Sequence, residues 1–220
     1  MISLSYVIVV DVIDCRRKYF LTTFGFWSSE WVLWEHKASE KKDASEWKDN
    51  MEQLCVFSTI EQFWSYFNHL PKPSEVFFDG DSRKKVGPEE KTVEEYSLFK
   101  KGIEPEWGDP QNVIGGEWFC RQTFDPDVLD LYWHNLVLGI VGETFEDAVD
   151  EDGTFKDRIN GARVVDKSRN FPMYKLEVWI NSRDPKVKER LREKLVEVLT
   201  DGQPSSRKTH PKFEWKDHSS

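Results

Sequence analysis

Three segments carry apolar residues at helical spacing, and each lies between runs that read as strands; this alternation constrains the fold most. The first, "STIEQFWSYFNHL", sets apolar side chains at positions 60, 63, 64, 67 and 70 behind a capping box of Ser58 and Glu61. That pattern predicts a helix from about Ile60 to His69, ended by Pro71. In "DPDVLDLYWHNLVLGIVGE", Leu129, Trp133, Leu136, Val137 and Ile140 share one helical stripe, with Pro126 suited to the first turn. The clearest case is "DPKVKERLREKLVEVLTDG": Asp184 as N-cap, Pro185 at the first helical position, Val187, Leu191, Leu195 and Val198 on one face, and Gly202 past the end.

Between and around them, "EWVLWEHK", "QLCVF", "SEVFFD", "EYSLFK", "GGEWFCRQTF", "RVVD", "MYKLEVWI" and "PKFEWK" read as strands. In "MYKLEVWI", Tyr174, Leu176 and Val178 alternate with Lys175, Glu177 and Trp179, which puts Trp179 on the exposed phase. Repeated strands with three separated amphipathic helices predict an α+β fold: a single domain over 1–220, with a mostly antiparallel sheet backed on one face by the three helices. Residues 1–25 form a divergent N-terminal extension, in which "YVIVVDVI" reads as an extra strand. It is too short to span a bilayer and carries Asp11.

Charge and cysteine usage narrow the function. A formal net charge of -9 argues against a protein that grips nucleic acid along its backbone, because such binding rests on many Lys and Arg contacts to phosphate. Three cysteines, Cys15, Cys55 and Cys120, form no CxxC pair and suit no disulfide framework, which fits a reduced, cytoplasmic protein. No GxSxG, HExxH, P-loop or GxGxxG occurs, so no catalytic residue, metal ligand or cofactor is assigned.

Two tryptophans stand in loops rather than in core elements: Trp47 in "ASEKKDASEWKDN" and Trp107 in "YSLFKKGIEPEWGDPQN". Glu104, Glu106 and Asp109 surround Trp107, so a flat ligand stacked there meets negative charge, which favours a cationic ring. The basic run "KDRINGARVVDKSRNFPMYK" adds cations suited to a phosphate tail. From these residues alone, an aromatic cage for methyl-lysine, a carbohydrate platform and a hydrolase using the acids around Trp107 stay open.

"YSLFKKGIEPEW", with "GGEWF" downstream, "FWSYFNHLPKPS" upstream and "WHNLVLGIVGETF" after it, resembles the translation initiation factor 4E family, which binds the 7-methylguanosine cap of messenger RNA. The resemblance is collinear from about Trp31 to Trp179. It implies a curved sheet with helices on its convex back and the cap in a slot on the concave side. There the methylated base lies between Trp47 and Trp107, each face adding a cation-π term of about 0.5 to 2 kcal/mol. The resemblance further implies that Trp179 touches the methyl group and that Lys167, or its neighbour Arg169, together with Lys175 holds the phosphates. Ile60, Trp64 and Gly142 match the surface that docks a scaffold or regulatory protein through a YxxxxLΦ helix, Φ being apolar. The implied role is a non-catalytic bridge in translation initiation, or a translational repressor built on the same slot.

Departures from the family pattern are local. Gly108 stands where a glutamate normally reads the guanine edge, and Asp109 is the expected substitute. Glu117 replaces a basic residue near the phosphates, and His134 replaces an apolar residue of the docking surface. Such drift is similar to that of divergent isoforms such as those of trypanosomatids.

Overall fold

Polar caps followed by proline start the two longest helices, and apolar stripes then bind them to a sheet. The computed structural model describes residues 26–38, 50–88, 90–149, 158–203 and 210–218. The N-terminal extension and Trp47 lie outside the described residues. In chain order the elements are β1 (Phe26–Lys37), β2 (Met51–Thr59), α1 (Ile60–Phe67), α2 (Pro73–Val76), β3 (Lys85–Val86), β4 (Lys91–Lys100), α3 (Pro110–Val113), β5 (Gly116–Gln122), α4 (Pro126–Val141), α5 (Thr144–Val149), β6 (Ile159–Asp166), β7 (Tyr174–Ile180), α6 (Pro185–Leu199) and β8 (Glu214–Asp217).

Helix α6 begins as its sequence requires. The Asp184 carboxylate accepts from the N–H groups of Lys186 and Val187 at 2.8 and 3.2 Å, and Pro185 has no N–H to leave unpaired. Helix α1 starts at Ile60 as expected, but its cap is Thr59, one residue after the expected Ser58. Thr59, in extended conformation, accepts the Gln62 N–H at 3.3 Å, and Gln62 Oε1 reaches back to the Ser58 N–H at 3.0 Å. It ends at Phe67, two residues short of the expected His69.

"SEVFFD" is not the strand its apolar residues suggest. Pro73 opens the short α2, Glu75 accepts the Lys72 N–H at 2.7 Å, and Ser74 donates from both its N–H and its hydroxyl to Asp130 on α4, at 2.9 and 2.6 Å. These bonds draw the segment into the helix layer and leave Phe77 in the core. The short elements α3, α5 and β3 were also not anticipated.

Among the described residues the sheet has eight strands in the order β2-β1-β4-β6-β7-β5-β8, with β3 on β4, and every pairing is antiparallel. Cross-strand partners share a face, so the registers can be followed across the sheet. Leu33, Leu98, Ala162, Val178, Trp118 and Trp215 form one row. This row packs into a single core with Leu129, Tyr132, Leu136 and Ile140 of α4 and Leu191, Leu195 and Leu199 of α6. Each fully buried leucine contributes about 1.5–3 kcal/mol of transfer free energy. One residue along, the row Ser97, Arg163, Glu177, Phe119 and Glu214 faces the other way. The sheet therefore has an apolar helix side and a polar face. Among the described residues no helix is long and apolar enough to cross a membrane.

Candidate functional site

Trp107 sits between β4 and β5, and its loop is fastened from several directions. Asp109 is the N-cap of α3: its carboxylate accepts the Gln111 N–H at 2.8 Å and the Glu104 N–H at 3.0 Å. Asn112, fully buried, donates its side-chain amide to the carbonyls of Glu104 and Glu106, both at 2.8 Å, spanning the stretch that leads into the tryptophan. Asn160 on β6 donates to Gln111 O and to Asn112 Oδ1. At the far end, Arg183 donates to Val113 O at 3.0 Å and Gly115 O at 3.1 Å. Gly115 and Gly116 permit this closeness, since a Cβ on Gly115 would lie 1.8 Å from Ile180 O. Within this rigid frame the Trp107 ring is left 47% exposed.

Asp109 therefore does not have the freedom expected of a base-reading carboxylate. Both oxygens already accept backbone N–H groups, and the side chain is buried. The signal for this was present. Asp109–Pro110 repeats the Asp–Pro start of α4 and α6, where the same pair marks a helix N-terminus.

On the polar face, acidic and basic side chains form a line across four strands. Arg163 donates to Glu95 Oε1 at 2.7 Å and lies 3.4 Å from Glu177; Lys175 contacts Glu177 at 2.6 Å and Glu117 at 2.8 Å; His218 Nε2 lies 3.4 Å from Glu117 Oε2. Buried charges persist only when paired and hydrogen-bonded, and here each has a counter-charge on the next strand. Burial alone would raise the Glu117 carboxyl, but the His218 and Lys175 contacts outweigh it and hold the pKa at about 2. For Glu95, burial is likewise opposed by Arg163 and Ser97, and the pKa is lowered.

Trp179 lies on this face, as its alternation requires, but it is fully buried rather than exposed. Its Nε1 donates to Glu177 Oε2 at 2.7 Å, Arg163 lies 5.2 Å from its ring, and Phe99 and His218 meet it edge-on at 5.3 and 4.4 Å. His218 stands between the rings of Trp179 and Trp107, 6.2 Å from the latter and near-parallel to it. Its Nδ1 donates to Asn112 O at 3.1 Å, which ties β8 to the Trp107 loop. Lys175, expected to meet phosphate, is held between two carboxylates. Lys167 and Arg169 lie exposed in the turn between β6 and β7.

On the helix side, Trp64 is half-buried beside Phe63, Phe67 and His134, with ring centres 4.9, 6.3 and 6.3 Å away. Burial, helped by nearby Lys72, lowers the His134 pKa. Ile60 begins α1, half-buried, and Gly142 caps α4, exposed. Next to Trp64's neighbours Phe67 and His134, a cavity of about 460 Å³ opens between α1, α2 and α4, floored by Leu33 and Trp133. Asn112, Asn160, Arg163, Lys216 and His218 were not singled out from sequence. Their roles depend on strands brought together from distant parts of the chain.

Residues 27–220 match the protein family described as "Eukaryotic initiation factor 4E". Among curated proteins the chain is 33% identical over 171 residues to "Eukaryotic translation initiation factor 4E-2" of Schizosaccharomyces pombe, a match covering 77% of this chain and 60% of that protein's length. It thus spans under two thirds of that relative. Among solved structures it is similar to a complex of C. elegans eIF4E-3 with the 4E-binding protein Mextli and cap analog, with a TM-score of 0.64, 29% identity, and 87% and 91% of the two chains covered. It is also similar to Ascaris suum eIF4E-3 with m7G cap, with a TM-score of 0.65, 30% identity, and 88% and 91% covered.

Proposed function

This chain belongs to the eukaryotic initiation factor 4E family, and on that premise we propose that it binds the 7-methylguanosine 5′ cap of messenger RNA and links it to a helical protein partner. The observation that carries this reading is Trp107. Its ring is half-exposed on a loop fastened by Asn112 and Arg183, and the Lys216 ammonium already rests 3.6 Å from its centre. A ring face that holds an ammonium suits a base made cationic by N7-methylation. Trp47 supplies the opposite aromatic face. Trp179 backs the slot behind His218 rather than lying open to the ligand. Lys167 and Arg169, exposed at the β6–β7 turn, serve the phosphate tail, while Lys175 contributes only after sharing itself with Glu117 and Glu177.

On the helix side, Trp64, Ile60 and Gly142 form the docking surface for a scaffold or regulatory protein, with His134 altering its apolar character. Cap binding on one face and a protein on the other make a non-catalytic bridge in cytoplasmic translation initiation. Similarity to complexes with a cap analog and with a 4E-binding protein supports both halves. Titration with 7-methylguanosine triphosphate and with GTP, followed by tryptophan fluorescence, tests the first half. Saturable quenching by the methylated nucleotide at lower concentration than by GTP is expected; equal affinity for the two removes the cap reading.

A further inference from the structure

Lys216 and Glu117 are directly opposed on β8 and β5, so both belong to the polar face. Their surroundings differ sharply. Glu117 is buried between Lys175 and His218, whereas Lys216 is exposed on the strand that ends the sheet. Among the described residues no carboxylate forms an ion pair with Lys216; its ammonium lies instead on the Trp107 ring, 3.6 Å from the centre. An exposed lysine has a flexible stem and a strongly hydrated head. Its place over the ring fits the attraction of an aromatic face for a cation.

We propose that Lys216 is a resident cation. It occupies, in the free protein, the face of Trp107 that a cationic base would take, and it leaves the ring when that base arrives. This rests on the cap-binding reading and adds to it a built-in competitor. The neighbouring cations do not compete for the role. Lys175 is held by Glu117 and Glu177, and Arg163 by Glu95 and Glu177. Lys216 alone of the three has its donors uncommitted. Once displaced it stays tethered beside the ligand, where its charge favours a phosphate tail. A nucleoside must therefore remove Lys216 without recompense, whereas a triphosphate regains attraction from the same ammonium.

The test compares the parent with Lys216→Met and Lys216→Arg by calorimetric titration with 7-methylguanosine and with 7-methylguanosine triphosphate. An exposed cation-π contact corresponds to about a two- to fivefold change in affinity. The Met variant is expected to bind the nucleoside tighter by that factor and the triphosphate no tighter than the parent, while the Arg variant behaves as the parent. Unchanged or weaker nucleoside binding by the Met variant overturns the proposal. A parent that binds neither ligand instead overturns the cap reading. The contact is then judged without ligand, by NMR of the Lys216 ε-methylene group. A ring-current shift that disappears in Trp107→Leu supports the resident cation, and an unshifted signal rejects it.

Discussion

Asn160 on β6 donates its side-chain amide to the Oδ1 of Asn112 at 2.9 Å, and both residues are fully buried. That bond joins β6 to the residue whose own amide holds the Glu104 and Glu106 carbonyls on the way into Trp107. Replacing Asn112 by alanine removes the donor to two carbonyls and the acceptor for Asn160. Leaving buried polar groups unpaired costs about 1–3 kcal/mol each. We expect Asn112→Ala to lower the urea midpoint and weaken the methylated nucleotide. Asn160→Ala should have a smaller effect of the same kind. Loss of binding without loss of stability would show that the bonds orient Trp107 but do not hold the fold; loss of neither would remove their role.

Acidification should probe the line of buried charges. Glu117 titrates at about 2 in the folded protein, below the ordinary glutamate value of 4.5, so its ionised form favours folding. That contribution is complete above pH 4.5 and is lost as the pH falls from there through about 2. Glu95 is shifted in the same direction. Over this window the parent should lose stability more steeply than Glu117→Gln, which has no charge to lose at that site. Parallel pH profiles in chemical denaturation would contradict the assignment.

Removing either stacking ring tests whether charge matters to recognition. Trp107→Ala, and likewise Trp47→Ala, should weaken 7-methylguanosine triphosphate more than GTP, because only the methylated base loses a cation-π term of about 0.5–2 kcal/mol per face. Equal losses for the two nucleotides would mean that stacking area, not charge, governs the site.

Much of the fold was legible because its signals are local. The stripe Leu129, Trp133, Leu136, Val137 and Ile140 is buried throughout, and the Asp184–Pro185 start of α6 lies where the sequence placed it. Failures arose where a distant residue decides. The Ser74–Asp130 bonds, 56 positions apart, turn an apparent strand into α2. Alternation put Trp179 on the correct face, but nothing near it in sequence announced that Arg163, Phe99 and His218 would cover it. Asp109 is a different case: its Asp–Pro pair is a local helix-start signal, and in the free protein the carboxylate caps α3, so a base-reading role requires it to leave that cap.

The helix side can be tested separately from the cap side. Trp64 packs against Phe63, Phe67 and His134 and lies on the face opposite Trp107's slot, so Trp64→Ala should abolish capture by an immobilised YxxxxLΦ peptide. Cap affinity should stay within about threefold, since sites without shared partners act nearly independently. A folded variant that loses cap binding as well would contradict a two-faced bridge.

The guanine edge poses the last question, because Asp109 is committed to Glu104 and Gln111 while Gly108 offers no side chain at all. A Cβ built on Gly108 would meet nothing within 4 Å, and this glycine is not among those with positive φ, so a larger residue fits without strain. Gly108→Glu should place a carboxylate beside the base edge, next to Trp107. Hydrogen bonds to a charged group contribute about 1.5–3 kcal/mol, so affinity for 7-methylguanosine triphosphate should rise about tenfold or more. The gain should be smaller for 7-methylinosine triphosphate, which lacks the N2 donor. Asp109→Asn should act differently: one of its two N–H contacts is lost, the loop loosens, and both ligands weaken by a similar factor while their ratio holds. If Asp109→Asn instead changes the guanine-to-inosine ratio and Gly108→Glu does not, Asp109 leaves its capping role when the base binds, and the loop geometry of the free protein is not that of the complex.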